Sequence, residues 1–156
     1  MSENAPDNAG VIAPPPLLYA GPLLLGLLLH RTAPAPLLPR RLARGVGLAL
    51  VGAATAIETG FVVAMRRAQT PINPSKPVAR LVTDGPLRYT RNPAYLALAM
   101  YYVAIANLVN TRWPVFLLPA MLFMVQRGVI EREERYLERR FGQEYREYKA
   151  RVRRWF

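Results

Sequence analysis

Four long blocks of apolar residues, separated by charged segments, are the feature that most constrains how this chain can fold. The blocks cover residues 17–29, 45–65, 93–109 and 113–130. A helix needs about 20 predominantly apolar residues to cross the hydrocarbon core of a bilayer. The first block is the weakest, because it reaches that length only when residues 11–16 are added. The pattern predicts an all-α, polytopic membrane protein with about four transmembrane helices, the last two forming a tight helical hairpin.

Lysine and arginine are unevenly divided between the two sides of this predicted bundle. Five of the 21 lie in 30–44 and at Arg112, whereas six lie in 66–91 and ten in 127–156. Cytoplasmic loops carry the excess of these residues, so both termini are predicted to be cytoplasmic. The net charge of +11 then lies beside an anionic leaflet. Membrane lipid is therefore the expected partner of this charge, and nucleic acid is not.

Cysteine and histidine are nearly absent from the chain. There is no cysteine, and His30 is the one histidine. This excludes thiolate nucleophiles, thiolate zinc sites and histidine clusters. We expect no metal cofactor.

The chain divides into three parts within one membrane domain. Residues 1–15 are expected to be a flexible N-terminal segment, 16–65 two spans, and 66–156 the catalytic half. Near the C-terminus an aromatic and apolar stripe recurs at steps of four and three, at Phe141, Tyr145, Tyr148, Val152 and Trp155. This spacing predicts an amphipathic helix that lies on the membrane or covers a site.

Residues 81–95 form another informative segment, which leads into the third apolar block. Asn92 followed by Pro93 is typical of a helix start, with the asparagine side chain as cap. A helix N-terminus of this kind attracts a carboxylate or a phosphate. Arg91 and Tyr95 would lie beside it.

Four motifs occur in order over residues 70–156. They are Leu81-Val82-Thr83-Asp84-Gly85-Pro86, Arg91-Asn92-Pro93-x-Tyr95, Glu133-Glu134 with Leu137, and Phe141-Gly142-x-x-Tyr145-x-x-Tyr148. Together they resemble the isoprenylcysteine carboxyl methyltransferase and phospholipid methyltransferase superfamily of integral membrane enzymes. The resemblance implies that S-adenosylmethionine binds in a cytoplasmic pocket, and that a lipophilic acceptor enters from the bilayer.

The resemblance also implies roles for individual residues. The cofactor-binding positions it suggests are Arg80, Leu81, Val82, Leu87, Tyr89, Asn92, Pro93, Ala94, Tyr95 and Glu133. Leu87 stands where an aromatic residue is common in the family, so an expected stacking partner is either missing or replaced by Tyr89. Arg91 and Glu134 are the catalytic candidates: Arg91 supplies hydrogen-bond donors, and either Glu134 or water accepts a proton if the methyl acceptor is an amine. Methyl transfer asks mainly for positioning, which agrees with the lack of nucleophilic side chains.

Arg127 and Glu58 are the candidates for contact with the methyl acceptor. Prenylcysteine enzymes carry an arginine where this chain has Val129, and Arg127 lies about 200° away around a helix. This disfavours a prenylcysteine carboxylate, although carboxylate and amine acceptors both remain open. Glu58 lies within a predicted span and is a functional candidate, but a satisfied polar contact with Arg66 or Arg67 is the favoured alternative.

Simpler interpretations compete with these roles. Arg91 can be a membrane anchor, the Glu133–Glu134 pair a solvated helix face, and Tyr95 an interfacial residue. Two rival functions also remain: a nicotinamide-dependent reductase related to sterol reductases, and a non-catalytic protein that binds anionic lipid or a partner.

Overall fold

The structure, a computed structural model, describes residues 9–73 and 76–155, and within these ranges it contains helices and no strands. The helices are α1 (Pro15–Thr32), α2 (Arg40–Arg67), α3 (Pro93–Val109), α4 (Trp113–Val125), α5 (Glu131–Phe141) and α6 (Gln143–Arg151). A short 3-10 turn, Gly85–Arg88, lies in the connection between α2 and α3. The all-α prediction is confirmed.

Helix boundaries follow local sequence signals. Pro93 occupies the first position of α3, where its missing N–H costs nothing. Asn110, the residue after α3, adopts the left-handed conformation at φ 59° and ends that helix. Only Thr111 and Arg112 lie between Asn110 and the start of α4. Gly142, at φ 54°, separates α5 from α6 in a conformation that glycine adopts at little cost.

α4 and α5 form one continuous helix, because a π-helical stretch, Gln126–Ile130, joins them without a break. This helix is apolar as far as Ile130, apart from Gln126 and Arg127, and strongly charged from Glu131 onward. The apolar part is suited to a membrane and the charged part is not. π-Helical turns are rare and often occur at functional sites.

Two helices among the described residues are long and apolar enough to cross a membrane, fewer than the four predicted. They are α2 and the continuous helix Trp113–Phe141, and only 17% and 33% of their apolar stretches are buried. α3 is apolar but has 17 residues, about 25 Å of helix. α1 has 18 residues, but its three prolines, His30 and Arg31 lower its mean hydropathy. Exposed apolar helices agree with a membrane protein, since soluble proteins rarely expose such faces.

The helices associate as two pairs, α2 with α3 and α1 with α4. Glycine permits the close approach in each pair, as is common between membrane helices. A Cβ atom on Gly26 of α1 would lie 2.7 Å from both the ring Cγ and the backbone nitrogen of Pro114 on α4. A Cβ on Gly47 of α2 would lie 2.7 Å from the side chain of Leu108 on α3.

The described part of the N-terminal segment packs against the π-helical stretch. The Ile12 backbone N–H donates to the Gly128 carbonyl at 3.2 Å, and Arg132 Nη1 donates to the Gly10 carbonyl at 2.9 Å. The Ile12 side chain also occupies the space that a side chain on Gly128 would fill. Of the segment predicted to be flexible, residues 1–8 lie outside the described residues, and in the remainder Gly10 and Ile12 make these contacts.

All four long helices meet the later elements at one end of the bundle. α1 and α3 begin there, while α2 and the apolar part of the continuous helix end there. The connection between α2 and α3 crosses this end, together with α5 and α6. Residues that are far apart in the sequence therefore surround one space.

Candidate active site

That space is a cavity of about 630 Å³, a volume typical of small-molecule sites. Twelve of the fourteen predicted site residues line it: Glu58, Arg80, Leu81, Val82, Leu87, Arg91, Asn92, Pro93, Ala94, Tyr95, Glu133 and Glu134. They come from α2, α3, α5 and the connection before α3. The fold thus brings the predicted cofactor residues together, while their individual roles stay predictions.

Tyr89 and Arg127 do not line the cavity, so the structure does not support the roles predicted for them. Tyr89 follows the 3-10 turn and is 79% exposed, which removes it as a replacement aromatic for Leu87. The Arg127 side chain is 63% exposed on the outer face of the continuous helix. It pairs there with Glu131 at 3.1 Å and lies over the ring of Phe123.

Glu133 lines the cavity, and the pKa of its carboxyl is raised. It lies beyond the apolar part of the continuous helix, and the Tyr95 hydroxyl donates a hydrogen bond to its Oε1 at 2.6 Å. Burial raises the pKa of Glu133 to about 7, with a smaller increase from the neighbouring charge of Glu134 and a partial offset from the Tyr95 hydrogen bond. Its charge therefore changes within the physiological range.

Glu134 is buried and is held by two arginines. Arg154 binds it in a bidentate manner, with Nε 3.0 Å from Oε1 and Nη2 2.7 Å from Oε2. Arg91 Nη1 lies 3.3 Å from Oε1. The hydrogen bond to Glu134 raises the pKa of Arg154, which stays charged. Because Arg154 takes both oxygens, Glu134 is poorly suited to the proton-accepting role predicted for it.

Arg91 is buried at the site with two donors that make no hydrogen bond to any described residue. Its side chain is only 9% exposed, and neither Nε nor Nη1 has a hydrogen-bond partner among the described residues. The contact with Glu134 lacks the alignment of a hydrogen bond. Leaving buried donors unpaired costs about 1–3 kcal/mol, and more when they are charged. An anionic group in the cavity beside Arg91 would satisfy them.

The segment that precedes α3 is hydrogen-bonded to the C-terminal tail. The Asn92 side chain makes no cap hydrogen bond to its own helix; its Nδ2 donates to the Arg154 carbonyl at 2.9 Å, which corrects the predicted cap. The Thr90 hydroxyl donates to the same carbonyl at 3.1 Å, and the Arg91 backbone N–H donates to the Arg153 carbonyl at 2.9 Å. These bonds tie the tail to the motif that contains Arg91.

α6 closes another side of the cavity with Tyr145 and Tyr148. The Tyr148 hydroxyl donates to the Leu87 carbonyl at 2.8 Å. Burial, followed by the charge of Glu134, raises the pKa of Tyr145 to about 12, with a partial offset from the charge and side-chain hydrogen bonding of the neighbouring Arg91, so its hydroxyl stays neutral. The aromatic stripe was predicted either to lie on the membrane or to cover a site, and its two tyrosines cover this one. Arg154 was missed, because nothing in the sequence separates it from the arginines around it.

The remaining wall is apolar and includes one carboxylate. Glu58, Phe61 and Met65 share a face of α2, and Leu98 of α3 lies on the same wall. Glu58 makes no hydrogen bond or ion pair with any described residue, so the favoured prediction of a contact with Arg66 or Arg67 is wrong. The cavity thus has a charged side and an apolar side.

Comparison with known proteins agrees with this arrangement. A family model described as phospholipid methyltransferase matches residues 42–144, about two thirds of the chain. An uncharacterized protein from Haemophilus influenzae is 53% identical over 34 residues, which are 22% of this chain and 54% of that protein. The chain thus spans about half the length of the curated relative it matches. No solved structure matches it. The match to the family model covers more than half of the sequence and most of the residues around the cavity, and on that basis the chain belongs to the phospholipid methyltransferase family, a family of membrane methyltransferases.

Proposed function

We propose that this protein transfers a methyl group from S-adenosylmethionine to a lipophilic acceptor that reaches the cavity from the membrane. The observation that carries the proposal is that Nε and Nη1 of the buried Arg91 make no hydrogen bond with the described residues, beside a cavity that Glu133 and the two tyrosines of α6 also line. Family membership supports methyl transfer as the reaction. The choice of cofactor and acceptor is our inference from the cavity.

The donor set fits the amino-acid part of S-adenosylmethionine. A carboxylate would satisfy the free Nε and Nη1 of Arg91 through charge-assisted hydrogen bonds. Glu133 would accept hydrogen bonds from the α-ammonium group. Tyr145 and Tyr148 offer aromatic faces to a cation or an adenine ring. We assign cofactor contacts on the remaining wall to Arg80, Leu81 and Val82, as the family resemblance implies.

The chain's contribution to catalysis is positioning. When bound, S-adenosylmethionine would supply an activated methyl group on a positively charged sulfur. Arg91 and Glu133 would fix the amino-acid part at two points, and Tyr95 would hold Glu133 in place through the 2.6 Å hydrogen bond. Alignment of this kind removes much of the entropic part of a barrier. No covalent intermediate with the protein is needed.

An amine fits the other end of the cavity better than a carboxylate does. The apolar wall of α2 and α3 suits an alkyl chain, and Glu58 is the one acid on that wall. A carboxylate acceptor would be repelled by Glu58 and Glu133, whereas an ammonium group would be attracted. The Glu58 carboxylate would accept a hydrogen bond from the ammonium and take its proton, leaving a nucleophilic amine.

We further propose four membrane passages, with both termini and the cavity on the cytoplasmic side. The support is that α1 and α3 begin, and α2 and the apolar part of the continuous helix end, at the cavity end of the bundle. Sixteen of the 21 Lys and Arg lie in the segments that gather there. The exposed arginines of α5 and α6 would then contact anionic membrane lipid.

Calorimetric titration of the purified protein with S-adenosylmethionine tests the proposal. We expect binding by the wild type and a loss of at least about tenfold in Arg91→Ala, since charged hydrogen bonds are each worth about 1.5–3 kcal/mol. Arg88→Ala is the matched control, because Arg88 is exposed and does not line the cavity. Absence of binding by the wild type would refute the cofactor assignment.

A methyl-labelling experiment tests the acceptor. The protein in native lipid is incubated with methyl-labelled cofactor, and the lipid fraction is then treated with alkali. An N-methyl product keeps its label, whereas a methyl ester releases methanol. Alkali-labile label on a prenylated thiol acid would overturn the amine assignment. Glu58→Gln should reduce labelling of the amine without weakening cofactor binding.

A further inference from the structure

The two arginines at Glu134 differ in how they contact its carboxylate and in how exposed their side chains are. Arg154 binds both carboxylate oxygens, at 3.0 and 2.7 Å, whereas Arg91 makes a single 3.3 Å contact. The Arg154 side chain is 30% exposed and that of Arg91 is 9% exposed. The more exposed Arg154 therefore makes the hydrogen bonds to the buried carboxylate of Glu134. Arg91, which lines the cavity, keeps two donors that make no hydrogen bond with a described residue.

The C-terminal tail is held where Arg154 can do this. The backbone turns from helix to extended conformation at Val152, which ends α6. The carbonyls of Arg153 and Arg154 then accept three hydrogen bonds from the segment that precedes α3. The Trp155 side chain packs against the hydrophobic core. Arg154 is thus fixed from both sides, with little freedom to leave Glu134.

We propose that Arg154 is a positioning residue of the cofactor site: by taking both oxygens of Glu134, it leaves Nε and Nη1 of Arg91 free to bind the cofactor's carboxylate. This inference rests on the proposed function. Without Arg154, the buried Glu134 would need another cation, because an uncompensated buried charge costs several kcal/mol. Arg91 is the nearest cation, and a bidentate pair with Glu134 would turn its donors away from the cavity.

Cofactor titration of four proteins tests this competition. Arg154→Gln should raise the dissociation constant of S-adenosylmethionine at least about tenfold, a loss comparable to that of one charged hydrogen bond. Adding Glu134→Gln to that variant removes the competitor for Arg91, and should restore the constant to within about threefold of the wild type. Arg153→Gln is the control, since it makes the same charge change one residue earlier on an exposed side chain.

A second ligand separates positioning from a general loss of structure. 5′-Methylthioadenosine lacks the amino-acid part, so its competition for the site should be unaffected by Arg154→Gln. A tail that merely stabilises the fold predicts instead that both ligands weaken and that the double variant is no better than the single one; either result overturns the inference. Normal binding by Arg154→Gln also overturns it and leaves the proposed function intact. Absence of binding by the wild type overturns both.

Discussion

Replacing Glu133 by glutamine should remove the pH dependence of cofactor binding on the acid side of neutrality. Burial holds the pKa of Glu133 at about 7, so the carboxylate loses its charge as the pH falls through that value. Only the ionised form pairs with the ammonium group of the cofactor, whose own pKa is about 7.7–8.0. Below pH of about 7, therefore, the ammonium group of the cofactor stays charged while the Glu133 carboxylate becomes neutral.

The size of the effect follows from the pKa. At pH of about 7.0 roughly half of the Glu133 side chains are ionised, and at pH of about 5.5 roughly 3% are. The wild-type dissociation constant should rise about 15-fold over this interval. In Glu133→Gln, binding should be weaker at neutral pH and nearly flat across the interval, because the amide does not titrate.

Calorimetric titration at several pH values measures this dependence. Glu131→Gln is the matched control on the same helix, since Glu131 pairs with Arg127 and does not line the cavity; it should keep the 15-fold change. Melting in detergent checks the fold. The pKa of Glu133 is higher in the folded protein than its unfolded value of about 4.3, so ionisation of this carboxyl opposes folding increasingly as the pH rises from about 4.3 to about 7. Glu133→Gln removes this cost. The variant should therefore not have a lower melting temperature than the wild type at pH of about 8. A flat wild-type profile, or an unchanged slope in Glu133→Gln, would refute the reasoning.

Three further predictions concern the neighbours of this carboxylate and the packing of the helices. Tyr95→Phe removes the hydrogen bond that lowers the pKa of Glu133, so the midpoint of the cofactor-affinity profile should move up by about one pH unit; an unmoved midpoint would contradict this. Arg91→Lys loses the planar fork and should raise the cofactor dissociation constant about fivefold, on the order of 1 kcal/mol, in the same titration; wild-type affinity would make Arg91 a simple anchor. Gly26→Ala should destabilise the α1–α4 pair by about 1–3 kcal/mol and lower the melting temperature in detergent by several degrees. Gly21 has open space around it, so Gly21→Ala should leave the melting temperature unchanged. Equal melting temperatures for the two variants would argue against close packing at Gly26.

Much of the charged side of the cavity was predictable, because its residues come in short motifs whose members stay close in any fold. Pro93 and Tyr95 occupy the first turn of one helix, so a helix start at Pro93 brings both near Arg91. The pair Glu133–Glu134 needed only a helix that continues from the apolar stretch ending at Ile130 into the charged segment that follows. The family resemblance supplied the remaining link, which is that these two segments face each other.

Partners across the fold were not predictable from the sequence. Asn92 looks like a helix cap, but in the structure it donates to the carbonyl of Arg154, 62 residues away. The α5–α6 region is rich in arginine, and only the path of the tail decides that Arg154 is the one that reaches Glu134. Arg127 was a candidate by proximity in sequence, yet the face of the helix on which it lies points it outward.

The sequence by itself determined the helical class, the apolar blocks and the segments that carry the chemistry, because hydrophobic periodicity and turn residues act over a few neighbours. It also determined that the excess of positive charge lies in residues 66–91 and 127–156. Only the tertiary structure decided which charges are paired and which stay free, since a buried charge depends on partners that distant segments bring within about 3 Å. In the structure Arg154 binds both oxygens of Glu134, and Nε and Nη1 of Arg91 make no hydrogen bond with the described residues.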